Sequence, residues 1–206
     1  METLRFAAPE DAPELLEIYR PYVEHTSVSF ETELPSLEEF QRRIVSFSRR
    51  FPYLVAEEDG ALLGYAYAHA FHERAAYGWT VETTIYVGQK ARGRGLGRRL
   101  YRGLLALLQA QGVQTACAVV TIPNDPSIGF HQAMGFRLAG VLPHMGYKLG
   151  RWCGVGYLTL QLSQSRDAPD PVIPVGQLDP VIPVGQLDPA WVRGVLEDPE
   201  NFPCKS

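Results

Sequence analysis

Two periodicities trade places along the first 163 residues. Leu15, Leu16, Ile18 and Tyr19 fall on one side of a helix read from Glu10 to Glu24, which Pro21 is expected to kink or end. Ser36-Leu-Glu-Glu39 supplies a capping box for a second helix reaching about Arg50. Pro52–Glu57 and Leu62–Phe71 read as strands joined by the turn signal Glu58-Asp59-Gly60, and the β-branched and aromatic run Trp79–Val87 continues the meander. Leu96, Leu100, Leu104, Leu107 and Leu108 then return at helical spacing, with Gly112 placed to stop that helix. Thr115–Thr121 is a continuous apolar strand, and Ile122-Pro-Asn-Asp-Pro breaks it before a short helix at Ser127–Met134. Further strands are expected near Phe136–Leu142 and Val155–Leu162, and Leu4–Phe6 opens the chain as another. Strands precede, separate and follow helices, which predicts an α+β (mixed α/β) class.

The pattern changes after about Ser163. Asp170-Pro-Val-Ile-Pro-Val-Gly-Gln-Leu178 recurs letter for letter as Asp179–Leu187, and its prolines deny it an ordinary helix or central strand. The expected division is a domain over 1–165 and a Pro-rich tail over 166–206. That tail is either flexible or an arm docked on a groove or a neighbouring subunit, with Trp191 as an anchor.

Composition narrows the function. With 206 residues, 46% hydrophobic, the chain can bury one sizeable core. A formal net charge of −4 argues against a nucleic-acid binder, whose phosphate contacts need a basic face. Cys117, Cys153 and Cys204 are odd in number and far apart, which speaks against a disulfide framework or a zinc site and for a reducing compartment. The start lacks a basic segment followed by an apolar one, and no stretch reaches membrane-spanning length, so a cytoplasmic location without membrane partners is expected.

The chemistry concentrates at Gln89-Lys90-Ala91-Arg92-Gly93-Arg94-Gly95-Leu96-Gly97, between the strand ending at Val87 and the leucine-rich helix. Alternate glycines remove side chains where phosphates could approach, and a helix N-terminus behind them offers unpaired N–H groups. Lys90, Arg92, Arg94 and Arg98 add positive charge, so a diphosphate suits the loop. The G-x-G-x-G spacing is neither a dinucleotide fingerprint nor a P-loop, and a plain glycine turn with solvated arginines reads the same letters. Glu82 is the only acidic residue in its apolar strand; burial there would raise its pKa toward the range of a general base, unless it points outward. Phe30, in a polar loop between two helices, either lines a pocket or plugs the core.

Strand, R/Q-x-x-G-x-G/A loop and helix together resemble the acyl-CoA pyrophosphate loop of the GNAT superfamily of N-acetyltransferases. Four further stretches resemble, more specifically, its phosphinothricin N-acetyltransferase group, which includes enzymes acting on methionine sulfoximine and sulfone. They are Ser27–Glu33, Arg74–Val87, Ile122–Ser127 with His131–Phe136, and Gly146–Trp152. The resemblance covers residues 3 to 163 and implies a central twisted mixed sheet flanked by helices. It also implies acetyl-CoA as co-substrate with no metal, direct acetyl transfer to a primary amine in a ternary complex, and a homodimer. Residue by residue, it implies Glu82 as base and acetyl-CoA contacts at Ile85, Tyr86 and Val87 through the main chain, at Arg92, Gly93, Arg94, Gly95, Leu96 and Gly97, and at Asn124 and Ser127. His131 stands where many members carry a tyrosine that protonates the departing thiolate, although a lone histidine on a short helix also serves structure. Asn124 could equally be a turn residue before Pro126. Arg74 and Tyr77 match the group's anion-binding segment and Phe30 its aromatic wall, with a solvated loop charge for Arg74 and core roles for Phe30 and Tyr77 as alternatives, and Thr83 could hydrogen-bond a substrate carboxylate. Two departures stand out: Cys153-Gly154 precedes Val155 where the group carries an acidic residue, and the repeat tail is foreign to it. Transfer to another small amine or a protein N-terminus, and CoA binding without turnover, remain open.

Overall fold

The structure is a computed structural model that describes residues 2–163 and 168–177. Seven strands form one sheet in the order β1-β2-β3-β4-β5-β7-β6. They are β1 (Glu2–Phe6), β2 (Tyr53–Glu58), β3 (Ala61–Ala70), β4 (Thr80–Val87), β5 (Thr115–Ile122), β6 (Arg137–Lys148) and β7 (Arg151–Gln161). Every neighbouring pair is antiparallel except β4 and β5. Helices α1 (Ala12–His25) and α2 (Leu37–Ser48) cover one face, while α3 (Leu96–Ala110) and α4 (Asp125–Ala133) cover the other. Among the described residues no helix is long and apolar enough to cross a membrane.

The leucine register of α3 does what its spacing predicts: Leu96, Leu100, Leu104, Leu107 and Leu108 are all buried against the sheet. Each such burial is worth about 2 kcal/mol. Gly112, at φ +85°, takes the left-handed turn that ends the segment. Ser36 caps α2 by accepting the Glu39 amide at 3.2 Å.

Two expectations change. Pro21 neither kinks α1 to a stop nor ends it; the helix runs on to His25. Tyr19 and Val23 are buried on either side of the proline, and the Tyr22 hydroxyl donates to the Val87 carbonyl at 2.6 Å, so tertiary contacts hold the path. The last two strands are longer than their hydrophobic runs, because β6 and β7 pair as one hairpin out to Lys148↔Arg151 around Leu149 and Gly150, both at positive φ. The first repeat copy lies along this same chain: Ile173 donates its amide to the Gln111 carbonyl and Val175 to that of Arg50, each at 2.9 Å. The second copy and Trp191 lie outside the described residues.

Candidate active site

The site begins where the sheet opens. β4 and β5 pair over Thr80↔Thr115, Val81↔Ala116 and Glu82↔Cys117 and then part, although both strands continue. The antiparallel register with β3, fixed by Gly88 N–H to Leu63 and Phe71 N–H to Thr80, turns the main-chain groups of Thr83, Ile85 and Val87 toward the opening. The result is a slot of about 300 Å³ that passes between the strands and is lined from both faces of the sheet.

Glu82, Tyr67, His69, Phe30 and Tyr86 line it from the α1/α2 side; Ile85, Asn124, Ser127 and His131 line it from the α4 side. Burial raises the Glu82 pKa above the ordinary carboxylate range, opposed by the charges of His69 and His72. His69, which the strand pattern did not single out, stands directly across from Glu82 in register, with Nε2 4.0 Å from Oε1. Its Nδ1 faces the Ala70 carbonyl at 3.0 Å, which places a proton there and leaves Nε2 to face the carboxylate.

His131 is buried and holds both ring nitrogens in bonds: Nδ1 to the Ser127 carbonyl at 2.7 Å, and Nε2 to the Tyr101 hydroxyl at 3.1 Å. Burial lowers its pKa, against the pull of the Ser127 bond, so the ring is neutral near pH 7. Neither nitrogen can donate elsewhere without breaking a bond. Tyr101 passes the network on to the Thr83 hydroxyl at 2.6 Å, which also reaches the Cys117 carbonyl at 3.1 Å. Thr83 lines the slot as well, with strand alternation turning its side chain to the α3 face, opposite Glu82, where its hydroxyl bonds to Tyr101 and Cys117.

The glycine loop stands at the far end of β4. Gly93 and Gly95 have φ +76° and +81°, with no atom within 4 Å of where a Cβ would stand, so the loop forms an open cradle ahead of the first α3 amides. Gly97 lets the start of α3 lie against Ile85 and Phe130, and the Leu96 side chain is core, leaving its main chain for a ligand. Two of the expected cations are engaged elsewhere: Arg94 pairs with Glu58 at 2.8 Å, and the Arg92 guanidinium sits 5.2 Å from the centre of the Tyr22 ring. The Tyr22 hydroxyl meanwhile occupies the edge of Val87, taking its amide at 3.3 Å as well as its carbonyl. A cradle, a dipole end and free strand-edge groups fit a pantetheine arm and its diphosphate.

Phe30 reaches the slot because the loop that carries it is held by the β6–β7 hairpin. Lys148 Nζ, buried, donates to the Ser29 carbonyl at 2.8 Å, and Arg151 to the Ser27 hydroxyl at 3.1 Å. The Phe30 ring lies on Gly146, where a Cβ would stand 2.5 Å from it. Pattern reading found the Gly146–Trp152 stretch but not this use of it. Arg74 and Tyr77 do not line the slot; they sit on the β3–β4 connection, with Tyr77 edge-on to His72 at 4.8 Å between ring centres. Among the described residues no group of three or more histidine, cysteine or acidic side chains is gathered to hold a metal.

Comparison with known proteins places this geometry. Residues 4–154 match the family described as acetyltransferase (GNAT) domain. The chain is 38% identical to the phosphinothricin N-acetyltransferase of Streptomyces viridochromogenes over 85% of its own length and 95% of that protein's. It is 33% identical to the L-methionine sulfoximine/L-methionine sulfone acetyltransferase of Pseudomonas aeruginosa, over 81% and 98%. The crystal structure of a GNAT superfamily phosphinothricin acetyltransferase from Sinorhizobium meliloti in complex with AcCoA superposes with a TM-score of 0.79 at 35% identity, over 82% of this chain and 93% of that one.

Proposed function

This chain belongs to the GNAT acetyltransferase family and is an acetyl-CoA-dependent N-acetyltransferase, and from that premise we propose that its acceptor is the amino group of a small amino acid of the phosphinothricin or methionine sulfoximine and sulfone kind. The observation that carries the reading is a carboxylate of raised pKa, Glu82, set in the slot where β4 and β5 part.

Acetyl-CoA supplies an acetyl group activated as a thioester. The glycine cradle of Arg92, Gly93, Arg94, Gly95, Leu96 and Gly97 holds its diphosphate, while main-chain groups of Ile85 and Val87 on either side of Tyr86, with Asn124 and Ser127, align the rest along the slot. Glu82 accepts the ammonium proton, directly or through a water, so that the nitrogen lone pair can attack. The new N–C bond replaces the C–S bond within one ternary complex, and a water on the side of the slot that His131 lines gives the departing thiolate its proton, since both ring nitrogens of His131 are held by Ser127 and Tyr101. Phe30 forms the apolar wall of the acceptor end, and Arg74 and Tyr77 on the β3–β4 connection meet the acceptor's anionic group.

The working unit is residues 1–165, with 166–206 as an appended arm, acting in the cytoplasm as a homodimer. Support for the dimer is the edge hairpin, which exposes Leu138, Val141, Met145, Tyr147 and Trp152. Trp152→Asp is expected to shift the sedimentation coefficient to that of a monomer.

The decisive assay is thiol release with a panel of amines. L-phosphinothricin and L-methionine sulfone should turn over, with Glu82→Gln lowering kcat by about two orders of magnitude. Turnover confined to unrelated amines or peptide N-termini would replace the acceptor assignment, and CoA binding without product from any amine would remove it.

A further inference from the structure

The first repeat copy is seated, not draped. The Trp79 indole donates to the Asp170 carbonyl at 2.6 Å, and Ile173 is gripped on both sides by Gln111, giving its amide to the Gln111 carbonyl at 2.9 Å and receiving Nε2 on its own carbonyl at 2.7 Å. Gln111 is fully buried, and the same Nε2 also reaches the Arg50 carbonyl at 2.7 Å. The Val175 side chain is buried, and Val172 packs against the same aliphatic core. Pro174 separates the two residues that donate, Ile173 and Val175, and Pro171 and Pro174 lack N–H groups that the groove would otherwise have to satisfy.

Every feature the groove reads is present twice. The contacts use main-chain groups of residues 170, 173 and 175 and the side chains of Val172 and Val175, and the same residue types stand at Asp179, Val181, Ile182 and Val184. We propose that the groove framed by Arg50, Trp79 and Gln111 is a receptor for the repeat, and that the second copy, Asp179–Leu187, is an interchangeable occupant from the same chain. The two differ only in tether: the loop from Ser163 to Asp170 is a little under half as long as that from Ser163 to Asp179. Loop-closure entropy then favours the first copy by roughly three- to fourfold, a margin small enough that losing the first copy hands the groove to the second.

Nuclear magnetic resonance of the full chain tests this through the Trp79 indole proton, assigned with Trp79→Phe. Three variants are compared: one with aspartate at 172, 173 and 175, one with aspartate at 181, 182 and 184, and one with all six changes. Altering the second copy should leave indole exchange unchanged, altering the first should raise it by no more than about fivefold, and altering both should raise it on the order of fiftyfold. First-copy changes that open the groove as far as all six would overturn interchangeability. No rise with all six would remove the receptor. Protection in the first-copy variant that disappears on tenfold dilution would show the occupant coming from another molecule, which also overturns the proposal as stated.

Discussion

The two faces of the sheet are packed with different materials. Against α3 the buried set is mainly Leu and Ala, with Leu100, Leu104, Leu107 and Leu108 wholly inaccessible. Against α1 and α2 it is aromatic: Tyr53, Tyr65 and Tyr67 stack, with Tyr53 and Tyr67 at 4.7 Å and 13°, and the column runs on through Phe47 to His69, across from Glu82. An aliphatic layer fills space and offers nothing to a polar ligand. A tyrosine layer fills space with one end and carries hydroxyls with the other, so it extends from core into pocket without a break. Burial pushes Tyr67 up to about 12, so this side chain stays a neutral donor across the working range.

If the division is real, similar free energies removed from the two faces must register in different measurements. Leu104→Ala on the aliphatic face should cost about 3 kcal/mol of unfolding free energy in denaturant titration, with kcat per folded molecule unchanged. Glu82→Gln on the aromatic face should do the reverse, adding about 3 kcal/mol to the barrier and nothing to the ease of unfolding. Its stability should in fact exceed wild type near neutral pH. Because the folded-state pKa of Glu82 is raised, its contribution is complete below the unfolded carboxylate range and is lost as pH rises through the folded pKa; the advantage of glutamine should therefore vanish in acid. A wild-type kcat/KM that falls about tenfold per pH unit below that raised pKa, with the limb absent from Glu82→Gln, sharpens the assignment.

Next in size is Gly146→Ala. A methyl there displaces the Phe30 ring, and the expected result is an acceptor KM raised about tenfold with the acetyl-CoA KM held within about twofold. Pairing it with Phe30→Leu, which shortens the ring's reach, should recover part of the loss; additive effects would separate the hairpin from the acceptor wall. Smallest is Tyr22→Phe. It frees the Val87 edge, and an acetyl-CoA KM lowered about two- to threefold is expected; an increase would mean that the hydroxyl assists the ligand instead of holding its place.

How much of this the letters carried depends on whether the information was periodic. The elements from α1 to α4 were legible because their buried positions recur at 3.6 or 2 residues, as at Leu96–Leu108, and because Gly93, Gly95 and Gly112 stand where positive φ is required. The β6–β7 hairpin was under-read: its register shifts near Leu138/Gly140 and Leu142/Gly146 break the alternation, and its outward side chains carry no burial signal. Glu82 could be singled out as a lone charge in an apolar strand. His69 could not, since only the β3–β4 register sets it opposite that charge. The Tyr101 partner of Thr83 could not be read either, because adjacent letters on a strand look equivalent while their side chains face opposite ways. For the first repeat copy the letters left flexible and docked readings side by side, because its contacts are made largely by main-chain groups that every sequence possesses.

Strands β1–β4 and strands β5, β7 and β6 are joined along the sheet by three residue pairs, Thr80↔Thr115 to Glu82↔Cys117. A seam this short is where a pivot would lie, and any rotation about it would be magnified toward the mouth. A pantetheine arm laid between the leaves would stitch them together beyond the pivot, and amides as remote as those of β6 should then exchange more slowly, although no ligand atom touches them.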